Sequence, residues 1–185
     1  MPARVGELGE WYGAPRTPAS VAVPRMTARG AAEWMGRGRT MRTGSMADQD
    51  EIVDAIGSFA IFADLTTPQL EGVADQFEEA WFPSGERILR QGLTGSGFYV
   101  ILEGECSIRV DGEERARLAR GDFFGEISIL LGESPVADIV ALRPVRCLVL
   151  PGPKVEEFLV GLPRVMYRML QSQARRLRNA TRWRS

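Results

Sequence analysis

Phe124-Gly125-Glu126-Ile127-Ser128-Ile129-Leu130-Leu131-Gly132-Glu133-Ser134-Pro135-Val136-Ala137-Asp138-Ile139-Val140-Ala141 begins where a run of glycines ends, at 85, 92, 95, 97, 104, 112, 121 and 125. After Pro83 the apolar residues change from a period of 3.6 to a period of 2, which predicts short strands separated by turns. Residues 98–102 read as a buried strand. Cys106, Ile108 and Val110 alternate with Ser107 and Arg109, Asp111-Gly112 is a two-residue hairpin signal, and Ala116 and Leu118 alternate on the return. Residues 139–142 and 145–150 complete the set. Short strands at turn spacings of about 8 to 12 residues indicate a sandwich or barrel.

Upstream, residues 47–58 predict a short helix with Ile52, Val53 and Ile56 on one face, followed by an apolar link of Phe59, Ile61, Phe62 and Leu65. Thr67-Pro68 reads as an N-cap with proline at the first helical position, and Leu70, Val73, Ala74 and Phe77 carry a second helix to near Ala80. Downstream, residues 154–162 predict a short helix and residues 163–182 a longer one. The narrow stripe Met166, Leu170, Ala174 and Leu177 suits either packing on its own barrel or a dimer seam like a short coiled coil. Helices gathered at both ends of a set of strands make the class α+β.

Three segments are expected. Residues 1–46, rich in Gly, Pro, Arg and Ser, read as a disordered N-terminal extension. Met26, Met41 and Met46 fit an overcalled start there, Trp11, Tyr12 and Trp34 fit a docking segment, and a plain solvated tail is the third reading. Residues 47–162 form the domain, and residues 163–185 a C-terminal lid or dimerisation helix with a basic tail.

An apolar fraction of 44% and a charged fraction of 25% over 185 residues describe a soluble chain with room for one core. No apolar run exceeds the five residues of 98–102, far too short to cross a bilayer, and no signal peptide is visible in residues 1–46, so a cytoplasmic protein without a membrane partner is expected. With no histidine, histidine acid–base chemistry and Ser-His or Cys-His nucleophile pairs are excluded. Cys106 and Cys147 lie in apolar strand-like segments, read as reduced core thiols, and make no four-ligand zinc site. No catalytic or metal-ligating residue is therefore expected. The net charge of −1 provides no overall basic field, although the arginines at 164, 168, 175, 176, 178, 182 and 184 leave room for nonspecific contact with nucleic acid.

Five segments stand together in order: residues 61–65 (Ile-Phe-Ala-Asp-Leu), 82–86 (Phe-Pro-Ser-Gly-Glu), 88–92 (Ile-Leu-Arg-Gln-Gly), 98–104 (Phe-Tyr-Val-Ile-Leu-Glu-Gly) and 118–126 (Leu-Ala-Arg-Gly-Asp-Phe-Phe-Gly-Glu). With the stretch quoted first, they resemble the cyclic nucleotide-binding domain family over residues 56–178. The resemblance implies a double-stranded β-helix, a jelly-roll-like barrel flanked by N-terminal helices and a C-terminal helix. It also implies a phosphate-binding cassette, a short helix whose first backbone N–H groups point at a cyclic phosphate. Mapped onto this chain, the pocket is Gly125, Glu126, Ile127, Ser128, Val136, Ala137 and Asp138.

In that family the glutamate at the Glu126 position accepts a hydrogen bond from the ribose 2′-hydroxyl, an arginine nine residues later pairs with the phosphate, and a Ser or Thr follows three residues on. Here the ninth residue is Pro135, or Val136 when the family proline is aligned on Pro135, and the Ser or Thr position falls on Asp138. Losing one charge-assisted hydrogen bond to a buried anion costs about 2–4 kcal/mol, roughly 30- to 1000-fold in affinity, and a carboxylate nearby adds repulsion. The implied function is a non-enzymatic regulatory or protein-interaction module in which binding of cAMP or cGMP is weak or lost. The alternative is a working cAMP or cGMP sensor that signals by moving its C-terminal helix, with Tyr167 or Trp183 as a lid over the purine. A protein partner and a homodimer through the C-terminal helix are expected. Specific DNA binding is not, because too few residues follow Arg178 for a helix-turn-helix unit.

Overall fold

The computed structural model describes residues 46–93 and 97–182. Expectations for the N-terminal extension and for Trp183 lie outside these residues. Two helices come first, α1 (Met46–Gly57) and α2 (Thr67–Ala74). Val53 and Ile56 of α1 are buried, and the link after it buries Phe59, Ile61 and Phe62. The N-cap of α2 is Thr66, one residue ahead of the expected Thr67, and its backbone N–H donates to Gln69 Oε1 at 3.0 Å.

The second helix also ends earlier than its apolar period suggests. Phe77 keeps the helical spacing and is buried, but α2 stops at Ala74 and Glu78–Phe82 is a strand, β1. All five of its residues are in register with the eighth strand, from Glu78 opposite Val149 to Phe82 opposite Val145. A tertiary partner decides the state of this segment against its local period.

The remaining strands are β2 (Arg87–Leu89), β3 (Gly97–Glu103), β4 (Glu105–Val110), β5 (Glu113–Ala119), β6 (Phe123–Phe124), β7 (Asp138–Ala141) and β8 (Val145–Pro151). Two four-stranded antiparallel sheets result, ordered β1-β8-β3-β6 and β2-β7-β4-β5. The β4–β5 hairpin turns on Asp111 (φ 55) and Gly112 (φ 83), the paired positive φ values of a two-residue type I′ turn. A one-turn helix, α3 (Glu126–Leu131), separates β6 from β7, and two helices close the chain, α4 (Gly152–Gly161) and α5 (Pro163–Arg182).

Two apolar clusters share β3 and β8. Phe98, Val100, Leu102, Leu148 and Leu150 face the helices, where they meet Ile56, Phe62, Val73, Phe158, Val165 and Met169. Tyr99, Ile101, Cys147 and Val149 face the other sheet, against Cys106, Leu118, Ile139 and Ala141. Strand β3 is buried on both faces for this reason, which explains its unbroken apolar run. Both cysteines are buried free thiols.

The long helix docks by a different face from the stripe expected to carry contacts. Val165 and Met169 are buried, whereas Met166 is 46%, Leu170 64% and Leu177 67% exposed. Of the two readings of that stripe, packing on its own barrel is overturned: docking selected the neighbouring row, which meets Phe158 and Val155 of α4 in the core.

Candidate functional site

The site starts where β6 leaves its sheet. Tyr99 is in register with Phe124 and their rings stack with centroids 4.7 Å apart, while Phe123 turns into the cluster beneath the helices. Gly125 follows with φ 87, and a Cβ built there would lie 2.1 Å from the carbonyl oxygen of Gly97. The chain can reverse against β3 at this point only with glycine.

Helix α3 then carries Glu126, Ile127 and Ser128. Ser128 is buried and its hydroxyl donates to the carbonyl of Gly125 at 3.0 Å, while Ile127, Leu130 and Leu131 are exposed. Past Gly132 the chain is tied to the end of β2, where Gly92 N donates to the Pro135 carbonyl at 2.9 Å. Ala137 is buried and Val136, beside it, is 47% exposed. Asp138 opens β7, where its carboxylate accepts from Gln91 N at 2.8 Å and pairs with Arg87 at 3.5 Å.

Glu126 is 2% exposed. Its carboxylate accepts from Gln173 Nε2 and from Arg176 Nη1, the latter at 3.3 Å, and both donors come from α5. The other terminal nitrogen of Arg176 donates to the Phe123 carbonyl at 2.8 Å, and the guanidinium lies 4.5 Å from the centroid of the Phe123 ring. Burial pushes the Glu126 carboxyl above its ordinary range, opposed by the Arg176 charge and by hydrogen bonds from its own backbone and Gln173.

The structure thus brings Gly125, Glu126 and Ser128 into one packed turn, leaves Ile127 and Val136 on the surface, and places Ala137 and Asp138 at the start of β7. Three polar partners are missed by local reading: Gln173 and Arg176 lie about fifty residues from Glu126, and Arg87 lies on a strand that the sequence does not announce. Other arginines in or beside the sheets make contacts of their own, and Arg109, in register with Asp138, donates to Ser107 Oγ at 3.2 Å. Arg117, Arg143 and Arg146 pair with glutamates, and Arg120 donates to the Leu102 carbonyl at 2.9 Å. Around residues 135–138, Pro135 and Val136 offer no side-chain donor, and the Asp138 carboxylate is paired with Arg87.

The description cyclic nucleotide-binding domain matches residues 79–160 of the chain. A cGMP-dependent protein kinase of Caenorhabditis briggsae is 36% identical over 111 residues, covering 57% of this chain and 15% of the kinase. A catabolite activator protein from Thermus thermophilus superposes with a TM-score of 0.60 at 29% identity, covering 66% of this chain and 60% of that one. The regulatory subunit of a cAMP-independent protein kinase A from Trypanosoma brucei superposes with a TM-score of 0.62 at 22% identity, covering 70% of this chain and 47% of that one, a likeness of fold alone. The chain spans less than two thirds of the length of each of these three. No helix among the described residues is long and apolar enough to cross a membrane.

Proposed function

We propose that this chain, a member of the cyclic nucleotide-binding domain family through residues 79–160, is a non-enzymatic regulatory module whose affinity for cAMP and cGMP is weak or lost. The observation that carries this reading is the exposed aliphatic side chain of Val136, next to Pro135, where a phosphate of the family's ligand would need a guanidinium. Asp138 strengthens it, because its carboxylate stands at the start of β7 and already engages Arg87 and the Gln91 amide. Isothermal titration of the chain with cAMP and with cGMP tests the reading, alongside the double variant Val136→Arg with Asp138→Thr. No saturable heat from the parent and a gain of at least about 30-fold in the double variant is the expected result. Tight, saturable binding by the parent overturns it.

A second reading has its own support. The contacts of Gln173 and Arg176 with Glu126 join the cassette to α5, so a ligand reaching the cassette has a mechanical route to the C-terminal helix. In this reading the module senses cAMP or cGMP by redistributing α5 between docked and released positions. Unchanged amide spectra at about millimolar nucleotide, far above ordinary sensor affinities, overturn it. In either reading the module acts on a protein partner or on a second copy of itself, the surface offered being the exposed stripe of Met166, Leu170 and Leu177.

A further inference from the structure

Helix α3 is packed on one side only. Glu126 and Ser128 are buried and Ile129 packs against the core, whereas Ile127, Leu130 and Leu131, at i, i+3 and i+4, share the opposite face and are 40–62% exposed. Leu93 and Val136 are exposed as well, next to the hydrogen bond from Gly92 N to the Pro135 carbonyl. Five aliphatic side chains are thus open to solvent around the cassette, and apolar surface grouped in this way marks an interaction site.

The charges of the chain are segregated. Residues 1–45 carry seven arginines and three glutamates, residues 46–162 nine bases against 21 carboxylates, and residues 163–185 seven arginines and no carboxylate. Residues 121–142 hold four carboxylates and no base. Arg87 pairs with Asp138, and Arg176 is shared by Glu126 and, at 4.0 Å, Asp122. Glu133 then stands beside the apolar face with Arg90, which precedes Leu93 in a turn. Charge close to the face is nearly balanced, so the acidic body attracts a basic segment as a whole and apolar contact selects its seat. The exposed stripe of α5 is the poorer seat for such a segment, because arginines surround it.

We propose that the exposed face of α3 is the seat of the chain's own residues 25–42, with Trp34 laid against Ile127, Leu130 and Leu131, so that this segment masks the cassette. Residues 25–42 lie outside the described residues and contain five arginines, one glutamate and Trp34 among Met26, Met35 and Met41. A tryptophan contributes wide apolar contact with few rotatable bonds, and methionines adapt to whatever surface remains. Twelve residues separate Trp34 from Met46, the first residue of α1, and extended they span about 40 Å, close to the width of a domain this size. The tether makes docking an intramolecular event at high effective concentration, an advantage that no separate partner has. Whatever approaches the cassette competes with the segment and binds more weakly by the fraction of chains left uncovered. The inference holds with or without affinity for a cyclic nucleotide.

Paramagnetic broadening in the full chain tests it. Cys106 and Cys147 are buried, so a nitroxide reagent attaches to the thiol introduced by Ala32→Cys. The amides of residues 127–136 are expected to lose at least about twofold in intensity, while β1, at the far edge of its sheet from β6, keeps its signals. Adding Trp34→Ala to the labelled chain, or Leu130→Ser with Leu131→Ser at exposed positions, is expected to lower the docked fraction about tenfold and restore the signals. No broadening, broadening spread over the whole chain or centred on α5, or broadening that survives these substitutions overturns the proposal. Labelled chains mixed with unlabelled, isotope-enriched ones are expected to leave the enriched signals intact. Broadening of residues 127–136 in that mixture assigns the face to a second copy and overturns the intramolecular seat.

Discussion

Gly125 holds φ 87 with the Gly97 carbonyl 2.1 Å from where a Cβ would stand, so strain and collision act together at one position. Gly125→Ala is expected to cost about 2 kcal/mol or more, read as a lower urea midpoint at unchanged slope. Its neighbour Glu126 responds to pH. Burial raises its carboxyl above the ordinary 4.5, with the Arg176 charge, its own backbone amide and Gln173 acting in the opposite direction. The native state holds this proton to a higher pH than the unfolded chain does. The stability tied to the group is therefore fully present below pH 4.5 and is lost as pH rises through the raised value. Urea unfolding between about pH 4 and about pH 8 is expected to show the parent losing stability relative to Glu126→Gln as pH increases, and parallel curves contradict the assignment. Neither residue owes its role to local pattern alone. The Phe-Gly-Glu run marks the position in the sequence, but the carbonyl that forbids a Cβ and the helix that holds the carboxylate come from elsewhere in the chain.

At the scale of elements, α5 shows which interactions hold a helix in place. Met169 is buried in the core cluster, whereas Arg168 and Asp64 pair at the surface. Met169→Ala is expected to destabilise by about 2–5 kcal/mol, and Asp64→Ala by much less despite its two short bonds. Thermal unfolding of the two variants decides the order, and equal effects contradict it. The same contrast explains which elements were legible in advance. Strands β3, β4, β5, β7 and β8 carry alternation or unbroken apolar runs, and α5 carries a long helical period without Gly or Pro inside it. Strand β1 hides behind the helical spacing of Phe77, and β2 and β6 have three and two residues, too few to show a period. These short strands exist because a neighbouring strand supplies their hydrogen bonds.

For the molecule as a whole, the docked face of α5 leaves Met166, Leu170 and Leu177 outward at spacings of four and seven residues. The homodimer proposed above would set this stripe against its own copy about a two-fold axis. Sedimentation equilibrium is expected to show a concentration-dependent dimer that Leu170→Glu weakens at least about tenfold without lowering the melting temperature. A monomer at all concentrations contradicts this. The sequence by itself determined the class of fold, because strand alternation, the Asp111-Gly112 turn and the ordered motifs from residue 61 to residue 126 are local or nearly local signals. It also determined that no side-chain cation stands at residues 135 and 136, which follows from identity alone. Only the tertiary structure decided that Asp138 engages Arg87 and the Gln91 amide, that α5 docks through Val165 and Met169, and that Glu126 is satisfied by Gln173 and Arg176. Those pairings join residues about fifty apart, and a buried carboxylate takes whichever donors packing brings within reach, a choice that no local period encodes.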